Sequence, residues 1–158
     1  MINVDGSYKE TESIGGWGFV IRDNSGDVVG SCAGRIEHCT DAMHAEIMAT
    51  LQALTFATEA SMMRIEIEMD AINVKTTLTT QKYDLSPLSM LIRDTKFLML
   101  SEFLETRVAY QPRACNKVAD ALAKFGCDLE PGGTMLWPDG NPTFVNDLVV
   151  ADVQSAHG

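Results

Sequence analysis

The feature that most restricts this chain is the order in which its apolar period changes. Between Ile2 and Phe125 the period switches between two and three-to-four residues, giving the order β-β-β-α-β-α-α-β-α. Ile2-Asn3-Val4-Asp5 alternates and stops at Gly6, so the strand either begins abruptly or continues a longer chain. Gly18 to Arg22 follows Gly15-Gly16. Val28 to Ala33 follows Asp23-Asn24-Ser25-Gly26-Asp27, whose turn residues suit a hairpin. Ala, Met and Leu crowd residues 41–60. Ile47, Leu51, Leu54 and Thr58 share one helical face there, and Ala45, Ala49 and Ala53 make another that can lie close to a sheet. Met63 to Asp70 alternates as a half-buried strand. Helices over 71–80 and 87–103 flank a loop around Tyr83–Ser86, and Thr106 to Tyr110 is a fifth strand ended by Pro112. A last helix over 116–125 carries Val118, Leu122 and Phe125 at i, i+4 and i+7, and Gly126 is placed to stop it.

Three strands joined by short turns, then two reached through helices, predict an α/β fold. Its five-stranded mixed sheet has the first three strands antiparallel and is flanked by helices. The 158 residues suit one domain. That domain is expected over 1–127. Residues 128–158 are expected as an irregular tail, rich in turns at Pro131-Gly132-Gly133 and Pro138-Asp139-Gly140-Asn141-Pro142. The tail packs back through Phe144-Val145 and Leu148-Val149-Val150, or trails from the domain.

Several classes are excluded by composition. No apolar run approaches the roughly 18–20 residues of a membrane span, so no membrane partner is expected. The N-terminus lacks a basic region followed by a hydrophobic stretch, so a secretory signal is not expected. Cys32, Cys39, Cys115 and Cys127 form no regular framework and read as reduced thiols of an intracellular protein, nuclear or cytoplasmic. Cys39 lies near His38 and His44, but the spacing does not suit a compact zinc site. A monomer is the expected state. Twelve Lys plus Arg face 22 Asp plus Glu, a net charge of −10 with no basic run. Proteins that grip nucleic acid through its phosphates usually carry a basic patch. Any such chemistry here must therefore lean on metal ions between acidic protein and anionic substrate.

Four acids sit at the junctions of the elements. Asp5 ends the first strand, Glu46 lies in the first turns of the long helix, Asp70 ends the fourth strand, and Asp120 lies in the first turns of the last helix. Singly, most have an ordinary explanation. Asp5 suits a turn before Gly6. Asp70 continues the row of Glu66 and Glu68 or caps the next helix. Asp120 complements a helix dipole. Glu46 is harder to explain this way, because Ala45-Glu46-Ile47-Met48-Ala49 is apolar and no Ser or Thr stands three residues earlier for a capping box. Together the four suit phosphodiester hydrolysis, in which two divalent ions about 4 Å apart activate water and stabilise charge. Magnesium, with manganese as the alternative, takes carboxylate oxygens and keeps several waters. Spacing alone does not bring the four together.

Five motifs stand in order: Asp5-Gly6-Ser7, Gly15-Gly16-Trp17-Gly18-Phe19-Val20-Ile21-Arg22-Asp23, His44-Ala45-Glu46, Glu68-Met69-Asp70, and Asn116-Lys117-Val118-Ala119-Asp120-Ala121-Leu122-Ala123. From about Asn3 to Lys124 the chain resembles the ribonuclease H type 1 family, and more narrowly plant RNase H-like domains of the retroelement-derived type. Trp137, Pro142 and Phe144 resemble the plant group as well. The resemblance implies endonucleolytic hydrolysis of the RNA strand of RNA–DNA hybrids, leaving 5′-phosphate and 3′-hydroxyl ends. It implies that Asp5 bridges both metals, that Glu46 and Asp70 flank the scissile phosphate, and that Asp120 closes the second metal site. Gly6, Ser7, Arg113, Asn116 and Lys117 are the expected substrate contacts. For Arg113 and Lys117, ordinary solvated surface is an equal alternative.

The departures bear on substrate and rate. Where the family often has a His six residues before the last helix, this chain has Tyr110. Where many relatives have two Asn before the helix Glu, it has Ala42-Met43. Recognition of a hybrid depends on sensing RNA 2′-hydroxyls beside a DNA strand. Two alternatives thus stand beside the hybrid nuclease: a weak or silent nucleic-acid-binding or accessory module of the same fold, and a nuclease acting on DNA or structured RNA.

Overall fold

The period-two pattern that starts at Ile2 continues through Gly6, giving β1 (Ile2–Lys9) twice the expected reach. The structure, a computed structural model, describes residues 1–80, 86–148 and 152. β1 is held along its whole length by β2 (Ile14–Arg22), from Ile2 opposite Ile21 to Lys9 opposite Ile14. That unbroken ladder outweighs the poor strand preference of glycine. β2 turns into β3 (Val28–Ile36) through the expected hairpin, where Asp23 Oδ1 accepts from the N–H groups of Ser25 and Asp27 at 2.9 and 3.0 Å.

Asp41 caps the long helix α1 (Ala42–Glu59), its Oδ1 accepting from the His44 N–H at 2.7 Å. Ala45, Ala49, Ala53 and Ala57 are all fully buried, so the smooth face read from the sequence is the one laid on the sheet. Leu51 and Thr58 are only half-buried and lie outside the fully packed stripe. The chain then forms β4 (Arg64–Met69), α2 (Ile72–Thr79), α3 (Ser89–Ser101) and β5 (Glu105–Tyr110). β4 runs parallel to both β1 and β5, which is why helices must carry the chain between them. Of the loop expected around Tyr83–Ser86, residues 81–85 lie outside the described residues, as do Val149 and Val150 of the tail.

Two further expectations are corrected. Gly126 does not stop the last helix. α4 (Lys117–Cys127) runs through it, and a Cβ at Gly126 would collide with the carbonyl oxygen of Gly34, so the glycine serves close approach to the sheet. The sheet has six strands in the order β5-β4-β1-β2-β3-β6, not five. β6 (Thr134–Trp137) is antiparallel to β3, with Ser31 opposite Trp137 and Gly34 opposite Thr134. It covers an edge that would otherwise present unpaired backbone groups. Four residues between turn-rich stretches leave no period to read.

The sheet separates two cores. On one face Val4, Trp17, Phe19 and Ile67 pack against Ile47 and Leu54 of α1 and Val74 of α2. On the other, Val20 and Ala33 pack against Val118 and Leu122 of α4 and Val145. Phe125 stands 5.6 Å from Trp137 and 5.3 Å from Phe144 between ring centroids, fixing residues beyond 128 to α4. No helix among the described residues is long and apolar enough to cross a membrane.

Candidate active site

β1 and β4 set the first two acids by register. Ile2 pairs with Ile67 and Asn3 with Glu68, so two residues further on Asp5 and Asp70 emerge side by side. They do so at the carboxyl end of β4, the side of an open α/β sheet on which sites form. Asp5 is therefore mid-strand, not at a strand end, and it is 3% exposed.

Gly6 brings the third acid in. A Cβ there would collide with the carbonyl carbon of Ala45 and stand 2.5 Å from the Glu46 amide nitrogen. Only the missing side chain lets the first turns of α1 lie on β1 and direct Glu46 at Asp5. Carboxylate oxygens of Asp5, Glu46 and Asp70 then lie within 4.8 Å of one another. The Gly6 N–H lies 3.0 Å from Asp5 Oδ1 and also supports Glu46.

Crowding and burial set the charge state of this group. Burial, then the charge and hydrogen bond of Glu46, then Asp70 and Asp120, push the Asp5 carboxyl far above its ordinary range. Burial also raises Glu46, against the pull of its hydrogen bond with Asp5 and of Arg113. Burial raises Asp70 as well, with Arg113 and Asn116 opposing. Both shifts favour a protonated carboxyl in this pair when no metal is bound. Glu46 Oε2 and Asp70 Oδ2 are buried with no hydrogen-bond donor among the described residues. An unpaired buried acceptor costs about 1–3 kcal/mol. Three clustered carboxylates, two of them with a buried oxygen that accepts no hydrogen bond among the described residues, are what a hard divalent cation takes, so the residues fit magnesium or manganese.

Asp120 is near but not within that group. Its charge is felt by Asp5 and Asp70, while its Oδ2 is bound to Lys124 Nζ at 2.9 Å, one helical turn on. Asn116 is buried at the start of α4, its Nδ2 donating to the Val4 carbonyl at 2.9 Å and its amide facing Asp70. Arg113 reaches out from the site, 88% exposed, with Nε 3.9 Å from Asp70 Oδ2. Ser7 lies two residues beyond Asp5 on β1, half-buried, and the Lys117 side chain is exposed with no ion pair among the described residues. Tyr110 ends β5 opposite Met69, the residue before Asp70, and is 44% exposed.

Two residues escaped the sequence reading. Lys124 was legible in principle, as an i+4 partner of Asp120 on a helix. Asp152 was not: its carboxylate accepts from the Lys117 N–H at 2.8 Å and the Val118 N–H at 2.9 Å, 35 and 34 residues away in sequence.

The mixed sheet with helices on both faces is the fold of solved ribonuclease H structures. The chain belongs to the reverse transcriptase-like family, whose profile matches residues 3–126. It is 30% identical over 131 residues to an Arabidopsis thaliana protein provisionally named a ribonuclease H protein. The match covers 83% of this chain and 21% of that protein's length. Among solved structures, it is similar to RNase H1 from the halophilic archaeon Halobacterium salinarum. The identity is 27% and the TM-score 0.72, over 80% of this chain and 96% of that one. An RNase H1 from compost, solved with an RNA/DNA hybrid, shares the fold at 23% identity and a TM-score of 0.69 over 80% and 95% of the two chains.

Proposed function

We propose that this chain is a divalent-metal-dependent endoribonuclease that hydrolyses the RNA strand of RNA–DNA hybrids. The observation that carries the reading is the convergence of Asp5, Glu46 and Asp70 from three elements, with two buried carboxylate oxygens lacking a donor. The substrate class is supported by the family and by the compost enzyme, which was solved with an RNA/DNA hybrid.

Asp5, Glu46 and Asp70 would hold the ions, with Asp120 completing a second site once it leaves Lys124. Bound there, magnesium or manganese supplies a water of lowered pKa and stabilises charge on the scissile phosphate and the leaving oxygen. The chain's own residues do the rest. Asp5, on β1 and facing Glu46 of α1, would hold metal in its deprotonated form. Arg113 presents an exposed guanidinium beside Asp70, where it can take a backbone phosphate by paired hydrogen bonds. Asn116 holds α4 to β1 so that Asp120 faces the group. Gly6 and Ser7 on one side, and Lys117 on the other, border the path of the substrate strand. Cleavage leaves 5′-phosphate and 3′-hydroxyl ends.

The test is an assay on a hybrid labelled in its RNA strand, with magnesium or manganese, beside single-stranded and duplex RNA. Metal-dependent cutting confined to the hybrid supports the reading. No cutting by folded protein at low salt contradicts it. One observation favours the other reading, a silent binding module: Asp120 is engaged by Lys124 and stands outside the cluster of three.

A further inference from the structure

Helix α4 enters the site without a cap from its own flanking residue. Asn116 occupies the N-cap position but makes no side-chain hydrogen bond to the helix, and its amide goes to the Val4 carbonyl instead. The first two free N–H groups of α4, those of Lys117 and Val118, are taken by the two carboxylate oxygens of Asp152. Asp152 is 4% exposed, and its Oδ2 also faces the guanidinium of Arg22 at 3.5 Å. Arg22 Nε donates to Asn3 Oδ1 at 3.3 Å, and Asn3 Nδ2 donates to Glu68 Oε2 at 2.9 Å. A buried polar chain thus runs from the α4 N-terminus through Asp152, Arg22 and Asn3 to Glu68. Asn3 and Glu68 are the register pair two residues before Asp5 and Asp70.

We propose that Asp152 is a positioning residue for the acidic site. By capping α4 from a distant part of the chain, it holds the helix start in the place from which Asn116 reaches β1 and faces Asp70. The same contact fixes the turn that carries Asp120. Its charge is balanced by Arg22, which ties the cap to the two strands bearing Asp5 and Asp70. Asn116 Nδ2 is committed to the strand and its Oδ1, buried without a hydrogen-bond partner among the described residues, does not reach the helix, so the first N–H groups of α4 fall to Asp152. The inference rests on the reading that these acids hold divalent metal.

The test uses the full chain and two readouts. In metal-free protein, exchange of the Asn116 side-chain amide protons is followed by NMR in wild type, Asp152→Asn and Asp152→Ala. Manganese binding without nucleic acid is then measured by calorimetry, with Leu78→Ala, a core truncation in α2, as a control for general loss of stability. Faster Asn116 exchange is expected in both Asp152 variants, with a manganese dissociation constant raised about tenfold in Asp152→Ala, as when support behind a metal ligand is lost. Leu78→Ala should leave both readouts near wild type. Should Asp152→Ala not fold, Asp152→Asn, which keeps one acceptor oxygen, decides by the same measurements. Unchanged Asn116 exchange in folded Asp152 variants overturns the inference. So does unchanged manganese affinity where the wild type binds. Wild-type protein that binds no manganese contradicts the metal-site reading instead, and the Asn116 exchange still decides the role of Asp152.

Discussion

The side-chain amide of Asn116 donates to the carbonyl of Val4 across 2.9 Å, one residue before Asp5. This bond joins the last helix to the central strand and brings the amide beside Asp70, so one residue touches the supports of two acids.

Asn116→Ala is therefore expected to cost more than an exposed cap would. It leaves the Val4 carbonyl without its side-chain donor in a buried setting, at about 1–3 kcal/mol. Urea unfolding should show a lower midpoint with an unchanged slope. A midpoint equal to wild type would show that the bond carries nothing.

The metal-free protein should lose stability as pH rises. Asp5, Glu46 and Asp70 all have raised folded-state pKa values, so the native state holds protons that the unfolded chain has released. Their contribution is neutral below the ordinary carboxylate range near pH 4 and becomes unfavourable from there up through neutrality. Thermal unfolding with a chelator should show Tm falling across that interval. With magnesium the trend should reverse, because binding displaces the same protons. A chelated Tm that rises with pH from 4.5 to 7, the Glu46 shift interval, would contradict the assignment.

Gly6→Ala should damage the site more than the fold. The added methyl collides with the backbone of Ala45, and α1 must shift off β1. Overpacking of this kind costs about 1–3 kcal/mol. Metal affinity should fall by about tenfold or more as Glu46 moves from Asp5. Equal metal affinity in calorimetry would mean that α1 can retreat without moving Glu46.

Lys124→Gln addresses Asp120. The ion pair is solvent-accessible on both sides, so its loss should change stability by less than about 1 kcal/mol. Magnesium half-saturation should move to lower concentration, since Asp120 no longer has to leave a cation. A shift to higher concentration would assign Lys124 a supporting role instead.

Much of this was legible in the chain, for identifiable reasons. Ala45, Ala49 and Ala53 recur at helical spacing, and all three lie flat on the sheet. The hairpin at Asp23 announces itself through local turn chemistry. Glycine was misread twice in the same way. At Gly6 it looked like a strand end and at Gly126 like a helix stop, whereas both are places where another backbone comes close. Sequence marks that a side chain is missing but not what fills the space. The four acids stand at the junctions of the elements, yet nothing in their spacing says that Asp120 is engaged by Lys124 while the other three cluster. Asp152 and β6 depend on contacts far along the chain and leave no local pattern.

The most direct test of the central claim is manganese binding by wild type and Asp70→Asn, measured by calorimetry in parallel with hybrid cleavage. Wild type should bind manganese and cut the RNA strand. Asp70→Asn should fold normally, lose affinity by about tenfold or more, and lose turnover. An Asp70→Asn protein that binds and cuts like wild type would contradict it.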